Sequence, residues 1–111
     1  MELLFTDRSL QTTLESAVML TRRFGVLNGE LVQQRVCELL AADSLAVVAD
    51  LATLDMRADH GMKPIFSVQL TEAYRLRLEP AIDPIPRVRG NDQVDLARVD
   101  VIRIVGLEES K

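Results

Sequence analysis

A two-layer α+β fold, helices first and antiparallel strands after, is predicted by three features of the sequence. Through the first half, apolar residues recur every three or four positions. After residue 64 they alternate with polar ones, a period of two. Three of the four prolines, with Gly90, Asn91 and Asp92, fall between Pro80 and Asp95 and mark a long loop before the last strand. Helical and strand patterns that are segregated along a chain pack as a helical layer on a sheet.

The elements run in order from the N-terminus. Met1–Phe5 is a short apolar strand at about residues 1–5, and Thr6 or Asp7 can cap the first helix. Leu10, Leu14, Ala17, Val18, Thr21 and Phe24 share one face of that helix, from about Asp7 to Arg23, and Gly25 closes it. Asn28 is the next cap candidate, opening a second helix to about Ala42 with a stripe of Val32, Val36, Leu39 and Leu40. Cys37 lies beside that stripe and reads as a small packed hydrophobe. Asp43 or Ser44 opens a short third segment with Leu45, Val48 and Leu51, so the helical part covers about 7–51.

Phe66, Val68 and Leu70 predict a strand over about 65–70, and Tyr74, Leu76 and Leu78 another over 74–79, joined by Thr71-Glu72-Ala73. This parity covers Tyr74 and turns Arg75, Arg77 and Glu79 toward water or a ligand. Leu96–Val105 returns to extended structure, with its strand at about 99–105; apolar residues on both faces predict a central position. Glu108 to Lys111 read as a polar tail.

The chain has 111 residues, the size of one domain. Its 48% hydrophobic content is too high for wholesale disorder. No apolar run is long enough to span a membrane, and Glu2 stands where a secretion signal needs a basic residue. A single cysteine excludes an internal disulfide and a thiolate zinc cluster, and suits a reducing cytoplasm. The net charge of -4 does not steer the whole molecule toward nucleic acid. The charge is uneven, however: residues 1–56 hold four arginines against eight acids, whereas residues 57–103 hold eight basic residues against seven acids.

The candidates for chemistry lie in that second stretch. His60 is the one histidine, which excludes a multi-histidine metal site; it reads as a solvent-facing loop residue or as a general acid or base. Arg75 and Arg77 stand two apart on one strand, suited either to clamp a phosphate or to pair with Glu79 and acids of a neighbouring strand. Lys63, Arg57, Arg87, Arg89 and Arg103 would extend a basic patch if the fold gathers them. Tyr74 reads as a packed residue or as a base-stacking one at a strand end.

Several phrases in order carry a resemblance. They are Phe5 with Asp7, Phe24-Gly25, Phe66-Ser67-Val68-Gln69-Leu70, Tyr74-Arg75-Leu76 with Glu79-Pro80, Asp83-Pro84-Ile85-Pro86, Val94-Asp95-Leu96, and Val101 through Glu108. Together they make the chain similar to the HigB-like branch of the RelE-type toxins, the plasmid maintenance killer proteins. The resemblance implies two N-terminal helices packed on a twisted, mainly antiparallel sheet. It implies an endoribonuclease that cuts mRNA on the ribosome without metal or cofactor, the 2′-hydroxyl attacking the neighbouring phosphate. Arg75 matches the arginine expected to hold that phosphate, and His60 and Lys63 match the histidine and lysine of the neighbouring basic loop. The partners implied are a helix-turn-helix antitoxin, the ribosome and mRNA, in the cytoplasm and away from membranes, with a homodimer or a toxin–antitoxin hetero-oligomer as the assembly.

The chain departs from that pattern in two places. Only Gly61 to Ile65 stand where relatives carry a longer glycine-rich and basic loop, and no histidine comes after Leu107. Three readings are open at this point. A working toxin requires Arg75, Lys63, His60, Arg57 and Arg103 to converge on a positive hollow. A toxin-fold protein with weakened nuclease activity, acting through an antitoxin or regulatory partner, requires a neutral or acidic groove and an intact antitoxin surface on the helices. An unrelated binding module requires the strand arginines to be consumed in internal ion pairs.

Overall fold

A computed structural model describes residues 1–59, 61 and 63–110. The chain is a mixed α+β fold with its N-terminal helices packed on one face of a five-stranded sheet. Strand β1 (Glu2–Phe5) leads into α1 (Arg8–Leu14), and Asp7 caps it by accepting from the Ser9 N–H at 2.8 Å. The single helix expected to Arg23 is broken. Ser16 leaves the helical conformation, and its Oγ accepts from the Met19 N–H at 3.2 Å to start α2 (Ala17–Phe24). A serine that can cap a new helix competes with continuing the old one. The break lets Leu10 and Leu14 on one segment and Leu20 on the other reach the core along separate axes.

Gly25 alone joins α2 to α3 (Val26–Ala41), at φ 85° and ψ 172°, a conformation that side-chain-bearing residues avoid. The second long helix therefore begins two residues before Asn28, which is not its cap. The tight corner folds α3 back on α2. A Cβ at Gly29 would lie 3.1 Å from the backbone carbonyl of Leu20. Val32, Val36 and Leu39 are buried as the stripe predicts, but Leu40 is half exposed and Cys37 faces solvent. Both lie outside the arc that meets the sheet.

Helix α4 (Leu45–Asp50) buries Leu45 and Val48, and Leu54 closes the core behind it. The Thr53 hydroxyl ties the turn after α4 back to α3 by donating to Glu38 at 2.7 Å. Burial works to raise the Glu38 carboxyl. The Thr53 hydrogen bond and the bonded, charged Arg35 outweigh it and hold the group below its usual range.

Residues 57–58, which carry no apolar strand pattern in the sequence, form an edge strand, β2 (Arg57–Ala58). It pairs antiparallel with β3 (Phe66–Gln69), which pairs with β4 (Tyr74–Pro80). In the turn between them the Ala73 and Tyr74 amides both donate to the Thr71 hydroxyl. The long loop is not structureless: Arg87 and Val94 bridge around Gly90, whose φ is 92°. The last strand starts later and ends later than its apolar pattern suggests. Leu96–Arg98 form a 3-10 turn, and β5 runs from Val101 to Glu109, so Glu108 and Glu109 of the expected polar tail belong to the sheet.

The strand order is β1-β5-β4-β3-β2, with β1 parallel to β5 and the other neighbours antiparallel. Strand β5 lies inside the sheet, as its two apolar faces require. Phe66, Val68, Leu76, Leu78, Ile102 and Ile104 are buried under the helices. The opposite face carries the polar positions of β3, β4 and β5, and among the described residues no helix covers it. Among the described residues, no helix is long and apolar enough to cross a membrane.

The Gly29–Leu20 approach sets a steric test. A methyl group at position 29 meets backbone rather than a movable side chain, so the two helices must separate. Gly29→Ala is expected to lower stability by about 1–3 kcal/mol in urea unfolding, even though alanine is the better helix former. Unchanged or raised stability would show that the corner is looser than described.

Candidate binding groove on the open sheet face

Strand alternation places Arg75 and Arg77 on the open face, opposite Gln69 and Ser67 of β3. There the two arginines part company. Arg75 does not reach into solvent as its parity suggests; it lies flat across β3 and is only 4% exposed. Its Nε donates to Ser67 Oγ at 2.9 Å. One terminal nitrogen donates to Gln69 Oε1 at 2.6 Å and to Asp55 Oδ2 at 3.3 Å. The other donates to the Asp55 carbonyl at 2.6 Å and the Ser67 carbonyl at 3.0 Å. A guanidinium has five N–H donors, and each finds an acceptor inside the fold.

Asp55 makes this possible. Its φ of 42° is a left-handed conformation that aspartate tolerates better than most residues. It turns both carbonyl and carboxylate of this residue toward Arg75. The same carboxylate oxygen also takes Arg57 at 2.9 Å, so the turn before β2 is clamped by two guanidiniums.

Arg77 is the more available cation. It is over a third exposed and lies between Asp59 at 3.4 Å and Glu108 at 3.7 Å, loose separations for ion pairs. These residues line a shallow groove of about 400 Å³, with Ser67, Glu109 and Ser110 completing its polar wall. The lining holds Arg57, Arg75 and Arg77 against Asp59, Glu108 and Glu109, so its formal charge is zero. An adjoining depression of about 550 Å³ shares Asp59 and Phe66 with the groove and carries Lys63 and Arg87 beside Asp92. Arg87 donates to the Asp92 carbonyl at 2.7 Å.

The remaining expected site residues lie elsewhere. Arg103 is held by Glu79 at 2.9 Å and lines a separate hollow with Lys63. Arg89 is exposed in the loop and lines neither depression. Tyr74 packs edge-on against Phe24, ring centres 5.6 Å apart, in keeping with its parity. His60 lies outside the described residues. Among the described residues, no group of three or more histidine, cysteine or acidic side chains gathers as a metal site.

Residue type and strand parity single out the arginines but not their acceptors. Asp55, Asp59, Gln69 and Glu108 escape that reading, although Asp55, Arg57 and Asp59 alternate in sign at strand spacing, a signal for an edge strand with a charged face. Comparison with protein-family models, with curated proteins and with solved structures finds no match.

The two arginines should separate cleanly by mutation. Arg75→Ala strands several acceptors around a buried site and is expected to cost about 3 kcal/mol of stability. Arg77→Ala removes exposed, loose ion pairs and should change stability by less than about 1 kcal/mol. Chemical unfolding of both variants checks the contrast; equal losses would contradict the structural role of Arg75.

Proposed function

We propose that this chain is a RelE-toxin-like protein of the HigB-like kind whose nuclease activity is weakened, and that it acts by binding a protein partner of the helix-turn-helix antitoxin class. The element order supports the fold part of this reading: a strand, N-terminal helices, then an antiparallel meander ending in a central strand parallel to the first. The observation that carries the weakened-nuclease part is the saturated guanidinium of Arg75, an internal pairing that an unrelated binding module would share. Stabilising a phosphate in flight needs donors aimed at empty space where charge develops. The donors of Arg75 are aimed at Ser67, Gln69 and Asp55 instead.

The surrounding electrostatics point the same way. Affinity for a polyanion grows with the number of phosphates neutralised. Here each groove cation is matched by an acid, within a chain of net charge -4. A surface of alternating charges in a shallow trough is better suited to a protein, which presents both signs, than to RNA.

Induced expression in a bacterial host, with growth, translation and cleavage of ribosome-bound mRNA monitored together, tests the reading. The expected result is continued growth and intact mRNA. Co-expression with the product of an adjacent helix-turn-helix reading frame should yield a stable, purifiable complex. Cleavage of ribosome-bound mRNA that disappears in Arg77→Ala would overturn the proposal in favour of a working nuclease.

A further inference from the structure

The two edges of the sheet are built differently. Strand β2 is two residues long, exposed at both and flanked by charge, the usual protection against unwanted strand pairing. Strand β1 is twice as long, and its one charge, Glu2, stands at its start ahead of three apolar residues. Its sequence is Glu-Leu-Leu-Phe, without lysine, proline or bulge, and no element pairs with its outer side among the described residues.

The hydrogen bonds to β5 fix which groups face outward. The Glu2 amide donates to the Asp100 carbonyl at 3.0 Å and the Thr6 amide to the Ile104 carbonyl at 3.1 Å. In a parallel ladder every second residue bonds the same neighbour. Glu2, Leu4 and Thr6 therefore face β5, and the N–H and C=O groups of Leu3 and Phe5 point to the open side. The Leu3 and Phe5 side chains pack on the core, while Leu4 lies on the opposite face, 36% exposed.

We propose that this edge pairs with the same edge of a second copy of the chain, β1 against β1 in antiparallel register with Leu4 on the two-fold axis. This register pairs both outward residues, Leu3 of one copy with Phe5 of the other, each pair exchanging two backbone bonds. Leu4 meets Leu4 at the close, non-hydrogen-bonded position, which buries the exposed leucine. Glu2 faces the uncharged Thr6, so no carboxylate opposes a carboxylate. Leu3 beside Phe5 carries the apolar layer under the sheet from one copy into the next. A self-complementary patch of this kind is what a two-fold interface requires. The two open faces then lie on the same side of one continuous sheet, leaving both grooves accessible. The proposal stands whether or not the groove binds an antitoxin.

Site-specific crosslinking and sedimentation test it together. In a Cys37→Ser background, Leu4→Cys places two thiols across the axis with Cα atoms about 4.5 Å apart, within disulfide reach. Glu2→Cys places them about 14 Å apart by strand rise. Under mild oxidation the first variant should form a covalent dimer rapidly and the second should not. The wild-type chain should sediment as a reversible dimer at micromolar concentration. Leu4→Lys should weaken that dimer roughly tenfold or more, with its circular dichroism unchanged. A wild-type chain that sediments as a monomer, or crosslinking as fast from position 2 as from position 4, would overturn the proposal.

Discussion

One guanidinium organises the open side of this protein. Arg75 lies across β3 with its donors divided among Ser67, Gln69 and Asp55. A buried cation is costly unless its hydrogen-bonding capacity is met. Meeting it demands that the turn at Asp55 adopt a left-handed backbone, that β2 lie against β3, and that Gln69 fold inward. The short strand β2 pairs through two residues only, and this clamp reinforces the backbone bonds that flank it, Asp59 N–H to the Ile65 carbonyl and Gln69 N–H to the Leu54 carbonyl, each 2.7 Å.

The same arrangement shapes the groove chemically. Because the donors of Arg75 are spent on the fold, Arg77 and Arg57 are the groove arginines left to offer N–H groups to a ligand, and Asp59, Glu108 and Asp55 stand beside them. The result is a polar trough with balanced charge. Such a surface gains specificity from the pattern of signs and little from long-range attraction. This is the physical basis for favouring a protein partner over a nucleic acid.

Much of the fold is legible in the sequence because it rests on periodicity. The apolar stripes of α3, apart from Leu40, and of α4 and the alternation in β3 and β4 appear where the hydrophobic pattern puts them, and β5 takes the inner position its two apolar faces predict, displaced toward the C-terminus. The features that escape the pattern are decided by polar or steric detail. Ser16 splits one amphipathic stretch into two helices through a single capping bond. Gly25 closes one helix and opens the next, which makes Asn28 an interior residue. Strand β2 is too short to show an apolar period. At the site, strand parity puts Arg75 on the correct face but cannot tell a side chain extended into solvent from one laid along the sheet. That distinction depends on acceptors six, eight and twenty residues away.

The most direct measurement of the central claim is nitrogen NMR of the Arg75 side chain, assigned by comparison with Arg75→Lys. Saturation by fixed acceptors predicts separate, slowly exchanging N–H signals that stay in place when a short RNA is added. A single averaged, rapidly exchanging signal, or one that moves saturably with RNA, would contradict the account.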